Sequence, residues 1–480
     1  MIDHAPSPDQ LLGLSATLER LDLTSAGEAA EARRRRASVA AGQYLVPRLE
    51  SDSDTIVVAV VGPSGGGKST IVNSLARRRI SDVGSLRPTT LEPVAWTDGE
   101  VPPTLDGLRS RVAGAIVDSL RPPPEGVVVV DTPPPEVVDD SGASIVGQIL
   151  EIADAVVFVA GADRYADAGG FALLELAAER RLPTVMVLNR LSESPGSHQV
   201  IAADFAAKLA ARRLLPRAAV DLVTTIAEGT VSPDTGALAP EVVAGVSKEI
   251  EAMADPQSRP DIIAAVVAGS LRRLRDDLAV IRTHVFDRAT RRVQLLDPMR
   301  AIYRGEVRRL VAEVRGGKFA GSDVAELVDG LASAATRRAG LAARASAELW
   351  RESEPAILGP VPELFGHGAD TLAVAHERLE FWLSEIDGLP RRMSQRRLGA
   401  RRGRRLAEFV LLASIDPRHV PSRRVARRLA KVPGLVESAR DRLADELRGI
   451  LETDSLRFVE RVGPSYSGSD LTELSVGAFE

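Results

Sequence analysis

Residues 55–70 read TIVVAVVGPSGGGKST, and no other stretch constrains the fold as strongly. Thr55–Val61 is a β-branched apolar run of the kind that fills a buried parallel strand. Gly62-Pro63-Ser64-Gly65-Gly66-Gly67-Lys68-Ser69-Thr70 then completes G-x-x-x-x-G-K-[ST], and Ile71–Arg79 carries a helix pattern. Strand, glycine loop and helix start are the context in which this motif cradles phosphate. Gly62 and Gly65–Gly67 let backbone N–H groups turn inward with no Cβ in the way. The helix N-terminus adds positive dipole, Lys68 a charge for the β- and γ-phosphates, and Ser69 a hydroxyl for Mg²⁺. The plainer alternative is a glycine turn beside a chance lysine. Lysine is scarce, however, with five among the 61 Lys and Arg. The motif therefore implies a nucleoside triphosphate site.

The remaining pattern extends that strand into a sheet. Leu91–Thr97, Gly126–Asp131, Ala155–Ala160, Thr184–Leu188 and Val220–Thr225 read as strands. A helix ending at Ile149–Ala153 and helices over Phe171–Arg181 and Ala203–Leu215 alternate with them. Strands alternating with helices at short spacing predict a mostly parallel α/β sheet covered on both faces, with ligands at the carboxyl ends of the strands. From about residue 241 the alternation stops. Segments rich in Ala, Leu, Arg and Glu run over 241–254, 261–315, 323–356, 368–388, 394–413 and 422–462, which predicts an all-α bundle or stalk. Residues 8–50 also look helical, with Leu11, Leu12, Leu14, Leu18 and Leu21 on a face. The expected organisation is an N-terminal helical segment over 1–50 packing on the helical domain, a P-loop domain over 51–240, a helical domain over 241–462 and a tail over 463–480. A chain of 480 residues is too long for one core, which agrees with several domains.

Composition narrows the function. The net charge of −5 argues against bulk nucleic-acid affinity. With no cysteine there are no disulfides and no thiolate metal site. His4, His198, His284, His367, His376 and His419 are scattered and share no metal-ligand spacing. No signal peptide opens the chain and no apolar run reaches the roughly 18 residues that span a bilayer, so a cytoplasmic protein is expected.

Three further stations follow the phosphate loop. Arg87-Pro88-Thr89-Thr90 lies where a loop threonine completes a Mg²⁺ shell in the presence of a γ-phosphate. Asp131 ends an apolar strand, where a carboxylate can hold Mg²⁺ directly or through water. Asn189-Arg190 ends a later strand, placed for a purine base. Each is weak alone; their order after a strong phosphate loop raises all three. GPSGGGKST at 62–70, RPTT at 87–90, VVVVDTPP at 127–134, DRYADA at 163–168 and VMVLNR at 185–190 together resemble the dynamin-like GTPases, most closely those of actinobacteria. The resemblance implies Mg²⁺-dependent GTP binding and hydrolysis, and helices from both flanks forming a bundle or stalk. It implies a homodimer through the GTPase domain, with Ser69, Thr89 or Thr90, and Asp131 serving the metal. Lys68, Thr89, Thr90 and Arg87 are then the catalytic candidates, and Gly62–Thr70 with Asn189 and Arg190 the nucleotide-binding ones.

The departures also carry information. Pro134 stands where such proteins usually keep a glycine whose N–H meets the γ-phosphate, and proline has no N–H. Ser192 stands where a base-reading aspartate is usual, so the residues leave ATP open beside GTP. Ser64 and Gly65 replace the Gln and Ser that organise hydrolysis, and no Gln closely follows Asp131. Slow hydrolysis is expected unless a partner or Arg87 contributes. Two alternatives stay open: an ATPase of the transporter type, which lacks its signature and its glutamate after Asp131, and a non-catalytic nucleotide-binding scaffold. Separately, eight of the fifteen residues Arg391–Arg405 are arginine, and the apolar AEFVLLASI follows at 407–415. This pair reads as peripheral attachment to an anionic membrane at its inner face. A solvated or internally paired helix face competes with that reading, and the lack of interleaved aromatics argues against nucleic acid.

Overall fold

The computed structural model describes residues 6–82, 92–98, 102–108, 115–116, 121–136, 144–192, 195–215, 220–319, 323–353, 368–393, 400–419, 421–429, 434–462 and 474. The chain divides into two compact units, residues 1–285 with 466–480, and residues 286–465.

The first unit is built on a sheet of seven strands: β1 (Ile56–Val61), β2 (Val94–Trp96), β3 (Ala115–Ile116), β4 (Val127–Asp131), β5 (Ala155–Gly161), β6 (Thr184–Leu191) and β7 (Val223–Ala227). Their spatial order is β3-β2-β4-β1-β5-β6-β7. All pairs run parallel except β2 with β4, where Val94 faces Asp131. The chain moves to one side of β1 as far as β4, then crosses to the other for β5, so β1 sits at the topological switch point where α/β sheets bind ligands. The strand side chains are apolar without alternation because both faces are buried. Val57, Ala59 and Val61 enter one core while Ile56, Val58 and Val60 enter the other.

The helices flanking that sheet are α1 (Pro8–Arg20), α2 (Glu28–Val39), α3 (Val46–Glu50), α4 (Lys68–Ala76), α5 (Ile145–Ile152), α6 (Ala168–Glu179), α7 (Pro195–Ala211) and α8 (Ala244–Met253). Helix α1 begins on a capping box, in which Ser7 accepts from the Gln10 N–H while the Gln10 side chain accepts from the Ser7 N–H. Its Leu11, Leu14 and Leu18 are buried, whereas Leu12 is exposed. A π-helical stretch, Ala40–Leu45, joins α2 to α3. A long helix α9 (Arg259–Arg315) follows α8.

The N-terminal helices join the sheet and the first half of α9 in a single core. Leu11, Leu14, Leu18, Tyr44 and Leu45 share one core with Val57 and Ala59 of the sheet and with Leu274 and Leu278 of α9. Asp154, fully buried at the start of β5, fixes the contact. It accepts from the Tyr44 hydroxyl at 2.9 Å and the Val57 N–H at 2.8 Å, and pairs with Arg48. The unit boundary falls later than residue 240. Val266, Leu271, Leu274, Leu278, Ile281 and Val285 of α9 belong to the sheet-side core, and Leu295 onward to the other unit. An unbroken helix carries no sequence mark where its apolar face changes partner. Helices from both flanks of the sheet do meet, with Arg33 pairing to Asp277 at 2.5 Å. Leu474, in the stretch read as a tail, is buried in the same core.

The second unit is helical: the remainder of α9, α10 (Val324–Ser353), α11 (Gly368–Met393), α12 (Ala400–Ile415), α13 (Arg423–Leu429) and α14 (Leu435–Val462). Trp350 and Trp382 are buried and donate their indole N–H to the Leu295 and Ala439 carbonyls at 3.1 and 3.0 Å. The apolar 407–415 stretch turns out to be core: Val410, Leu411 and Ile415 pack inside the bundle. None of the described helices is long and apolar enough to cross a membrane.

Candidate functional site

The phosphate loop leaves β1 at Gly62 and enters α4 at Lys68, as the residue types require. Gly62, Gly65 and Gly67 have φ of 145°, 79° and 94°, which glycine alone adopts freely. Two glycines are also required by space, because the loop lies directly on β5. A Cβ at Gly62 or Gly66 would come within 2.0 or 2.6 Å of the Val159 carbonyl oxygen. A Cβ at Gly67 would meet the Asn189 amide nitrogen at 2.3 Å.

Lys68 is 6 % exposed, and its ammonium donates to the Gly62 and Pro63 carbonyls at 2.9 and 3.3 Å. Burial lowers its pKa, while Asp131 and Glu136 oppose that shift. The charge is thereby held over the loop, within reach of any phosphate seated there.

Asp131 ends β4 and is fully buried. Ser81 donates to its Oδ2 at 2.6 Å, and Oδ1 is buried with no hydrogen-bond partner. Desolvation raises the carboxyl above its ordinary range, against the pull of the Ser69 and Ser81 hydroxyls and of Lys68. A buried carboxylate oxygen left without a partner beside a serine hydroxyl is a hard oxygen donor set, and it fits Mg²⁺.

Ser81 is the residue that sequence reasoning missed. Asn73 of α4 holds it there: its Oδ1 accepts from the Ile80 and Ser81 N–H groups at 2.8 and 2.9 Å, and its Nδ2 donates to the Ser81 carbonyl at 2.9 Å. The available signal was Asn73 itself, a poor helix former within an apolar helix. Thr132 bonds back to the Val60 carbonyl at 2.7 Å, and Pro133 and Pro134 are both buried.

Asn189 is buried and donates to the Gly66 carbonyl at 3.0 Å, while its Oδ1 accepts from the Arg190 N–H at 2.9 Å. The strand meant for the base is thus tied to the phosphate loop. Arg190 and Ser192 are exposed beside it, and the Ser192 carbonyl is bonded by His198. The structure brings Lys68, Ser69, Asp131 and Asn189 together around one loop. Arg87, Thr89 and Thr90 lie outside the described residues. Of the Arg391–Arg405 run, the side chains of Arg404 and Arg405 are described, and both are exposed.

Residues 57–190 match the family model described as 50S ribosome-binding GTPase. With the strand order and the loop geometry, this defines a P-loop GTPase domain within the chain. None of the curated proteins matches. Among solved structures the chain is similar to an oligomerised bacterial dynamin pair reported to sense and tether membranes. That match has 10% identity and a TM-score of 0.33, covering 98% of this chain and 94% of that one. It is also similar to the LeoA bacterial dynamin GTPase from ETEC, with 12% identity and a TM-score of 0.26, covering 98% and 92%.

Proposed function

We propose that the chain is a dynamin-like, Mg²⁺-dependent GTP-binding protein with slow hydrolysis, cytoplasmic, whose triphosphate form self-associates through the GTPase domain at the inner face of an anionic membrane. The observation that carries the nucleotide part is Asp131, buried with an unpartnered oxygen beside Ser69 and Lys68. Ser69 and Asp131 would hold the metal, with Thr89 or Thr90 as the further candidates. Bound Mg²⁺ supplies charge neutralisation across the β- and γ-phosphates. Lys68 orients the phosphates and opposes their charge, and the Gly62–Thr70 backbone seats them.

Slow turnover follows from Pro134, which offers no N–H to a γ-phosphate, and from the absence of a glutamine near Asp131 in the sequence. Self-association and help from Arg87 rest on family resemblance. Membrane attachment rests on the charge of Arg391–Arg405 alone, since the apolar stretch beside it is bundle core. The reading as a non-catalytic scaffold is favoured by the same proline pair, which stiffens the loop that would sense the γ-phosphate.

Competition of GTP and ATP against a fluorescent nucleotide, with and without Mg²⁺, tests the assignment. GTP should win modestly, and a clear win for ATP would overturn it. Lys68→Ala should weaken binding by more than about twofold, which is only a few tenths of a kcal/mol. Multiple-turnover assays with and without anionic vesicles separate the GTPase from the scaffold. Sedimentation with a non-hydrolysable analogue tests self-association. Flotation of wild type against a variant with the eight arginines of 391–405 changed to Gln tests the membrane contact.

A further inference from the structure

Within the helical unit, α9 and α14 present adjoining faces that no other described element covers. Arg300, Tyr303, Arg304, Val307 and Arg308 recur at the spacing of one helix face, and Arg448, Leu451, Ser455 and Val459 recur likewise on the facing helix. Between them lies an open cavity of about 530 Å³, within the range of small-molecule sites.

Its floor is apolar and fixed. Leu451 is fully buried, Val307 nearly so, and the Tyr303 hydroxyl is anchored on buried Asp454 at 2.7 Å. Its rim carries Arg300, Arg304, Arg308, Arg448 and Glu452, with Arg300 paired to Asp297 at 3.5 Å and Arg448 to Asp445 at 2.7 Å. Several other arginines of this unit are matched to acids: Arg338 to Glu306 and Glu313, Arg378 to Glu446, Arg442 to Glu385. Among the described residues, Arg304 and Arg308 have no such partner. The positive field reaches along the helix, where burial and then Arg300 and Arg288 push the Arg292 pKa down. Leu456, 52 % exposed, continues the apolar surface out of the cavity.

We propose that this groove binds a single anionic amphiphile, its phosphate head held by Arg304 and Arg308 and its aliphatic chain laid over Val307, Leu451 and Val459. Several guanidinium groups around one point suit a polyvalent oxyanion, which accepts paired hydrogen bonds from each. The apolar floor demands a chain attached to that anion, because a free anion would leave it wet. Arg304 and Arg308 also oppose a second copy of this chain at this surface, since like charges would face each other.

The test is calorimetric titration of the full chain with dodecyl phosphate below its micelle concentration. Inorganic phosphate and dodecyl maltoside are titrated in parallel. Saturable one-to-one binding is expected for dodecyl phosphate, weakened at least about tenfold in Arg304→Gln/Arg308→Gln, as expected for losing charge-assisted bonds. Ser455→Trp, which fills the cavity and leaves the charges in place, should weaken it as well. Both variants should keep the wild-type far-ultraviolet circular dichroism and cooperative unfolding transition, which shows that the helical unit folds. No saturable binding, equal binding in the variants, or inorganic phosphate binding as tightly would each overturn the proposal. So would binding confined to vesicles of phosphatidylglycerol and phosphatidylcholine, which would make this surface a membrane-facing patch.

Discussion

Gly66→Ala is the substitution whose effect the structure defines most sharply. The new Cβ would stand 2.6 Å from the Val159 oxygen, 3.3 Å from its carbonyl carbon and 3.4 Å from the Ala160 Cα. All three are backbone atoms of β5, a strand held between β1 and β6, so they cannot yield. The loop must instead lift by about 0.8 Å to reach ordinary contact distance. A shift of that size strains the Gly66–Asn189 hydrogen bond of 3.0 Å beyond its useful range. Overpacking of this kind costs about 1–3 kcal/mol and the lost bond about 1 kcal/mol. The loop is buried or half-buried over β5, so part of that cost should also appear as a lower melting temperature. Nucleotide binding cannot escape it, because the N–H groups must return to their places to seat the phosphates. Affinity for the Mg²⁺–nucleotide complex should therefore fall by about 10- to 100-fold, the equivalent of roughly 1.4–2.7 kcal/mol. Gly13→Ala is the control: Gly13 lies in α1 with nothing within 4 Å of a new Cβ, and alanine there should stabilise by about 0.5–1 kcal/mol without touching affinity. Equilibrium titration with a fluorescent nucleotide measures both variants. A Gly66→Ala protein that binds as tightly as wild type would refute the placement of the phosphates on this loop.

Asp131→Asn removes a carboxyl whose pKa is raised. A raised acid holds its proton more tightly folded than unfolded, so between those two pKa values stability falls as pH rises. Melting curves across the acidic range should lose that component in the variant, and nucleotide binding should lose its Mg²⁺ dependence. Ser81→Ala leaves Asp131 Oδ2 without its 2.6 Å donor and should raise the Mg²⁺ concentration needed for nucleotide binding, read by metal titration at fixed nucleotide. Ser192→Asp restores a carboxylate beside Asn189 and should widen the preference for GTP over ATP in the competition assay. Asp154→Ala strands Arg48 in the core and should destabilise the sheet unit by about 3–5 kcal/mol, measured by denaturant unfolding.

The parts of this fold that sequence made legible are those where a local pattern and its tertiary role coincide. The β-branched runs at 56–61, 127–130 and 155–160 could be read as strands because both faces of the sheet are buried, so neither face needs polar residues. Gly62 and Lys68 were legible because phosphate binding imposes its own spacing. What failed has a common cause in pairing at a distance. Leu11 and Leu18 form the same stripe whichever unit they cover. Val285 and Leu295 lie on one uninterrupted helix although they serve different cores. The apolar 407–415 stretch gave no sign that Val410 and Ile415 belong to the bundle core. Ser81 carried no signal in its own neighbourhood, because its place beside Asp131 depends on a side chain eight residues earlier, Asn73.

The setting of Lys68 gives this protein a chemical reporter of its own. Acylating reagents attack only neutral amines, and the chain has five lysines to offer them. Lys208, Lys248 and Lys318 are surface residues, and Lys208 and Lys318 are engaged with Asp204 and Glu313. Lys68 differs in kind: burial depresses its pKa, which enlarges its neutral fraction, while its burial and two loop carbonyls shield it from reagent. Its modification rate then measures how often the loop opens. A phosphate seated against the ammonium would stop the reaction at this one amine and leave the surface lysines as an internal standard. Peptide mass mapping after a brief acylation could thus follow occupancy of the site with no label introduced into the chain.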